Sequence, residues 1–145
     1  MNFQTHSAAD TEALAAAFAK TLKPGDVIAY RGDLGAGKTA FTRGLARGLE
    51  VDGEVSSPTF ALVHEYPGNP PLIHFDMYRV TTFDDLYTTG FFDYLDGNNI
   101  LVIEWSENIE AALPEETITV SLEVTGENDR SITIEGGVPF ENPIR

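Results

Sequence analysis

Gly32-Asp33-Leu34-Gly35-Ala36-Gly37-Lys38-Thr39 meets the spacing G-x-x-x-x-G-K-[ST] without a gap. This is the pattern of a phosphate-binding loop. Glycines let the backbone curl so that successive N–H groups point inward at a polyphosphate, and a helix opening behind them adds its positive end. In such a loop the backbone of Asp33, Gly35, Ala36, Gly37, Lys38 and Thr39 surrounds the phosphates. Lys38 reaches the β and γ phosphates and the Thr39 hydroxyl holds Mg²⁺. The flanks supply the required context. Residues 26–30, Asp-Val-Ile-Ala-Tyr, read as a short strand, and Phe41, Leu45 and Leu49 recur at every fourth position behind the loop, the period of a helix face. Strand, loop and helix together indicate an α/β chain.

Upstream of the loop, Leu14, Phe18 and Leu22 mark a helix over 7–22 that opens on a Ser7-x-x-Asp10 cap and stops at Pro24-Gly25. Downstream, Pro58 forces its predecessor out of helical geometry, and residues 59–66 branch and alternate as a strand. The turn 67–71 then sends residues 72–78 back as an antiparallel partner, which brings Ser57-Pro58-Thr59 and Asp76 to neighbouring points of one sheet edge. Thr82-x-x-Asp85 opens another helix, and the aromatic-rich stretch Phe83, Leu86, Phe91, Phe92, Tyr94 and Leu95 reads as core. Ile100-Leu101-Val102-Ile103 is uniformly aliphatic, so it predicts a strand buried on both faces, central and parallel. Residues 117–124 alternate strictly and turn into 130–134 as a second hairpin, followed by a tail over 136–145.

The 145 residues suit one domain with a core of its own. With no cysteine, disulfides and thiolate metal sites are excluded. No apolar run of membrane-spanning length and no basic-then-apolar leader is visible, so a cytoplasmic protein without membrane contact is expected. The net charge of −14 opposes direct binding of a nucleic-acid backbone. The exception is local: Arg31, Lys38, Arg43 and Arg47 crowd around the loop, an island suited to a polyphosphate.

Two carboxylates compete for the cation. Glu104 ends the most apolar strand and is favoured as Mg²⁺ ligand beside Thr39; Asp76 ends a mixed strand and is then the group that orients or deprotonates the attacking water. Thr59, behind the rigid Ser-Pro pair, is placed to bring a hydroxyl to the γ-phosphate side. His64 and His74 lie in apolar runs and read as hydrogen-bonded structural histidines; Trp105, able to stack on a ligand or fill the core, reads as a packing residue. No Asn-Lys-x-Asp segment of the kind that reads guanine is present, so ATP is the expected nucleotide. A small-molecule kinase is the second reading, opposed by the absence of an arginine-bearing lid segment. A nucleotide-dependent binding module with incidental hydrolysis is the third.

The loop, Ser57-Pro58-Thr59-Phe60, His74-Phe75-Asp76-Met77-Tyr78-Arg79 and Ile103-Glu104-Trp105, in that order and spacing, closely resemble the TsaE family, formerly YjeE, small bacterial ATPases required for threonylcarbamoyladenosine in tRNA. The resemblance implies an α/β fold of the P-loop NTPase type, three layers about a mixed, mainly parallel central sheet with added antiparallel hairpins; it also implies ATP and Mg²⁺ at the loop, Thr39 and Glu104 at the metal, and Asp76 and Thr59 in the second acidic motif and the switch-like segment. It puts Arg130 near the nucleotide. It also implies a complex with the TsaD and TsaB proteins, which carry out the transfer to tRNA, so that tRNA is met only through the complex. ATP hydrolysis then serves to reset that complex.

Overall fold

The structure, a computed structural model, describes residues 1–33, 35–53 and 63–144. Its elements run β1 (Asn2–Thr5), α1 (Ala8–Ala19), β2 (Val27–Arg31), α2 (Lys38–Leu49), β3 (Val63–Tyr66), β4 (Leu72–Asp76), α3 (Phe83–Thr88), a 3₁₀ turn (Phe91–Tyr94), β5 (Ile100–Glu104), a 3₁₀ segment (Ser106–Ala112), β6 (Ile118–Val124) and β7 (Arg130–Glu135).

Among the described residues seven strands form one sheet in the order β1-β7-β6-β2-β5-β4-β3. The four at its centre, β6-β2-β5-β4, are parallel, and both edges are finished by antiparallel partners. The aliphatic run 100–104 is buried along its whole length between β2 and β4, as a strand covered on both faces must be. Both expected hairpins are present, with Val63 opposite Phe75 and Val120 opposite Ile134. No sequence pattern marks β1, a four-residue strand that turns Phe3 and Thr5 inward against β7. Four residues carry too few alternations to announce a strand; the long-range partner decides it.

Side-chain alternation divides the core in two. Ile28, Tyr30, Leu72, Ile100 and Val102 face α1 and α2. Val27, Ile73, Phe75, Leu101 and Ile103 face the layer of α3 and the 3₁₀ segments, where Leu86, Phe91 and Ile109 meet them. Ser7 caps α1 by accepting from the N–H of Asp10 at 3.0 Å, and Thr82 caps α3 from Asp85 at 3.1 Å. The two long helices touch through small residues: a Cβ on Gly44 would lie 2.3 Å from the Glu12 carbonyl and one on Gly48 2.6 Å from that of Ala16. Beyond β7 the described residues form no regular element, yet Phe140 stacks on Phe3 at 5.1 Å and leans on Phe18 at 5.8 Å, sealing the edge of the first core.

Candidate active site

β2 delivers the chain to the loop at Gly32, whose φ is +146° and where a Cβ would sit 2.5 Å from the Leu122 carbonyl. Only glycine lets the backbone pass that close to β6. The loop ends on Gly37, at φ 102° the residue before α2, and among the described residues no side chain caps the helix there. The first-turn N–H groups of α2 are thus left for a ligand, at the helix end where the dipole favours negative charge.

Opposite that helix end lie two carboxylates. Asp76 and Glu104 are register partners on parallel β4 and β5, and the chain is pinned beyond them by Met77 N–H donating to the Glu104 carbonyl at 3.0 Å. Strand alternation gives both the parity of Leu72, Ile100 and Val102, so they turn to the α2 side of the sheet. The result is a cleft of about 320 Å³ lined by Gly35, Gly37, Lys38, Thr39, Asp76, Glu104 and Trp105. Asp76 is oriented within it, since its Oδ1 accepts the Tyr78 N–H at 2.9 Å. Lys38 spans the mouth of the loop: Nζ donates to the Gly32 carbonyl at 3.0 Å and stands 5.9 Å from the centre of the Trp105 ring.

Of the other expected site residues, Asp33 is exposed and its carbonyl accepts the Ala36 N–H at 3.1 Å, while Ala36 is buried; neither lines the cleft. Arg130, at the start of β7, reaches the loop directly, donating from Nη2 to the Gly35 carbonyl at 3.2 Å and from Nη1 to the Asp129 carbonyl at 2.8 Å. It also borders a second, smaller hollow with Gly37, Ala40, Ser7 and Asn128. Thr59 lies outside the described residues.

Two expectations fail. Trp105 is not a core residue: it is 43% exposed, takes φ 58° and meets Tyr78 edge-on at 4.9 Å. The strand ends at Glu104, and this left-handed turn swings the indole out over the cleft while Ser106 takes the inward place, donating to the Tyr30 carbonyl at 3.1 Å. His74 is buried as expected, at 1% exposure, but neither ring nitrogen has a hydrogen-bond partner among the described residues. Its nearest polar neighbour is the Glu104 carboxylate, with Nε2 3.7 Å from Oε2.

Two braces escaped the sequence reading. Tyr30 and Thr42 share a hydrogen bond of 2.8 Å under the first turn of α2, and Thr42 also donates to the Lys38 carbonyl at 2.8 Å. Burial, helped by nearby Glu104, pushes the Tyr30 hydroxyl well above the ordinary tyrosine range despite the opposing bond from Thr42, so it stays protonated. Asn108 donates to the Met77 and Tyr78 carbonyls at 2.8 and 3.3 Å, fixing the turn after Asp76. A tyrosine in a strand and an asparagine in a polar turn carry no pattern from which these contacts can be read.

No group of three or more His, Asp or Glu side chains converges among the described residues. A divalent ion here must therefore complete its shell with phosphate oxygens and water, the habit of Mg²⁺, and a hydroxyl with two carboxylates beside a lysine suits that ion. Among the described residues no helix is long and apolar enough to cross a membrane.

The family model described as "Threonylcarbamoyl adenosine biosynthesis protein TsaE" matches residues 5–132. The chain is 39% identical to the tRNA threonylcarbamoyladenosine biosynthesis protein TsaE of Treponema pallidum over 92% of this chain and 99% of that protein. It is 40% identical to the protein of the same name from Bacillus subtilis, over 92% of this chain and 84% of the relative. Among solved structures, the crystal structure of Bacillus subtilis YdiB superimposes with a TM-score of 0.77 at 36% identity, covering 92% of this chain and 83% of that one. An uncapped helix behind a glycine loop, two in-register carboxylates facing it and relatedness along nearly the whole chain lead to one conclusion: this chain belongs to the TsaE family.

Proposed function

We propose that this protein binds ATP with Mg²⁺ and hydrolyses it to support turnover of a TsaD–TsaB complex that forms threonylcarbamoyladenosine in tRNA. The observation that carries the reading is the convergence of Lys38, Thr39, Asp76 and Glu104 on one cleft at the open end of α2. The relatives' names support the process, and the resemblance in the motifs supports the partners. The net charge of −14 suits a component that meets tRNA through others.

In this reading the loop N–H groups and Lys38 hold the triphosphate, and Lys38 exchanges the Gly32 carbonyl for phosphate oxygen. Thr39 and Glu104 hold Mg²⁺, which neutralises charge on the phosphates when bound. Asp76 has one oxygen committed to the Tyr78 N–H and offers the other to the attacking water. Water attacks the γ-phosphorus, the bond to the β–γ bridging oxygen breaks, and ADP and phosphate leave. Arg130, tied to the Gly35 carbonyl, keeps the loop and the β6–β7 turn in one frame. Thr59 is assigned to the γ-phosphate side by its motif.

Reconstitution tests this. With TsaD, TsaB, tRNA and ATP, the wild-type chain is expected to sustain repeated rounds of modification. Lys38→Ala abolishes ATP binding and stops it, while Glu104→Ala loses mainly the Mg²⁺-dependent hydrolysis. Full-rate hydrolysis by Lys38→Ala sinks the proposal.

A further inference from the structure

The aromatic stretch after Thr82 only partly enters the core. Leu86 and Phe91 are buried, but Phe83, Tyr87 and Phe92 are 68%, 67% and 37% exposed. These three rings touch one another, Phe83 to Tyr87 at 6.4 Å and Phe83 to Phe92 at 5.8 Å, and Phe92 abuts buried Phe91 edge-on at 5.5 Å. They form a continuous ridge footed on the second core. With about 150–250 Å² for a whole aromatic side chain, they show on the order of 300 Å² to solvent. Apolar patches of that size on a single chain commonly mark a contact surface. Beside the ridge runs a groove of about 350 Å³ lined by Val80, Phe83, Leu86, Ile109 and Ala112, with Glu107 at its rim.

The charge around the ridge narrows its occupant. Between Arg79 and Arg130 there is no Lys, Arg or His, and there are twelve Asp or Glu. Asp84 beside Phe83, Asp93 beside Phe92, and Glu107 are exposed, and none has an ion-pair partner among the described residues. A second copy would set these carboxylates against their own kind, and a nucleic acid would set them against phosphates; both are disfavoured. A protein offering apolar side chains ringed by Lys and Arg satisfies both ridge and rim.

We infer that the Phe83–Tyr87–Phe92 ridge, with its groove and acidic rim, is the docking face for a basic-rimmed protein partner. The inference rests on the reading above of this chain as a component of the TsaD–TsaB complex, which supplies the probe. It adds where contact is made and how it is linked to the cleft. Asn108 borders the groove and holds the Met77 and Tyr78 carbonyls, so a partner seated there lies against the turn that follows Asp76.

Binding of the full chain to purified TsaD–TsaB, with ATP and Mg²⁺ present, is measured by biolayer interferometry at 50 and 300 mM salt. Phe83→Ser with Tyr87→Ser is expected to weaken binding about 30-fold or more, as loss of two central aromatic anchors does. ATP affinity and melting temperature serve as controls and stay at wild-type values. Asp84→Asn with Asp93→Asn and Glu107→Gln weakens binding several-fold at low salt and flattens the salt dependence, because rim charges act through screened attraction. Wild-type binding that both variants match within twofold overturns the docking face while leaving the partner reading intact. No binding by the wild-type chain overturns the partner reading and this assignment with it. A wild-type dimer that the aromatic variant dissolves reassigns the ridge to a second copy and likewise overturns it.

Discussion

Single atoms decide several features of this molecule. At Gly44 the missing side chain lets α2 lie against α1, and any Cβ would fall 2.3 Å from the Glu12 carbonyl and 2.6 Å from the Ala15 methyl. Alanine is the better helix former by up to about 1 kcal/mol, but the obstacle is backbone and cannot rotate away. Gly44→Ala is therefore expected to lower stability by about 1–3 kcal/mol, read from the midpoint of urea unfolding. His74 presents the opposite case. A buried imidazole with no hydrogen-bond partner among the described residues is costly to keep in a core. His74→Leu should accordingly unfold at the wild-type denaturant concentration or above it, by up to about 1 kcal/mol. A loss larger than that shows that the ring has a partner in the folded chain.

Among the elements, α3 is the least supported by packing, since Leu86 is its one buried residue. Its start is held by reciprocal caps: Thr82 accepts from Asp85 N–H, and Asp85 accepts from the N–H and hydroxyl of Thr81, each at 3.1 Å. The bond from the Thr81 N–H, chiefly, holds the Asp85 carboxyl below the usual aspartate range. A carboxyl lowered by folding stabilises the fold fully above its unfolded value, near pH 4, and ceases to as pH falls through the lowered value. Acidification is thus expected to fray the start of α3 only below about pH 4, visible as loss of the Thr81 and Asp85 amide cross-peaks in an NMR titration. Asp85→Asn removes the pH dependence of those signals. This cap was readable in the sequence as Thr82-x-x-Asp85, and so was Ser7-x-x-Asp10, because a cap is a local contract between residues three apart. The aromatic run after Thr82 was not readable in the same way. Its spacing is that of a buried stripe, but so short a helix has one buried face, and Phe83 and Tyr87 fall on the other.

Across the whole chain, what the sequence revealed and what it withheld divide along contact range. The loop, the doubly buried β5 and the two hairpins each announce themselves in one short continuous stretch, and the sheet is built from them. β1 remained hidden because only pairing with β7, far along the chain, makes it a strand. The site follows the same rule. Motifs and strand ends point to Lys38, Thr39, Asp76 and Glu104, and the parallel register sets them on one cleft. The outward turn of Trp105, the imidazole of His74 without a hydrogen-bond partner among the described residues, and the Asn108 brace depend on where distant strands stop, which no short pattern encodes.

The in-register pair Asp76 and Glu104 also implies a conflict between durability and capability. Neighbouring strands hold their backbones about 4.8 Å apart, so the two acidic positions cannot separate without breaking the ladder, and Glu104 is only 6% exposed. Without ligand the fold sets two carboxyl groups side by side, one of them nearly dry, with the Lys38 ammonium on the same cleft, and a bound divalent cation eases whatever repulsion remains between them. Glu104→Gln removes one of those charges at nearly constant shape. It is expected to melt a few degrees higher than the wild type without ligand, and to gain less than the wild type when Mg²⁺ and nucleotide are added, in paired calorimetric scans. A variant that melts lower in the empty state shows that the repulsion is already relieved within the fold. If the scans run as expected, the most heat-resistant form of this protein is one that has given up part of its site.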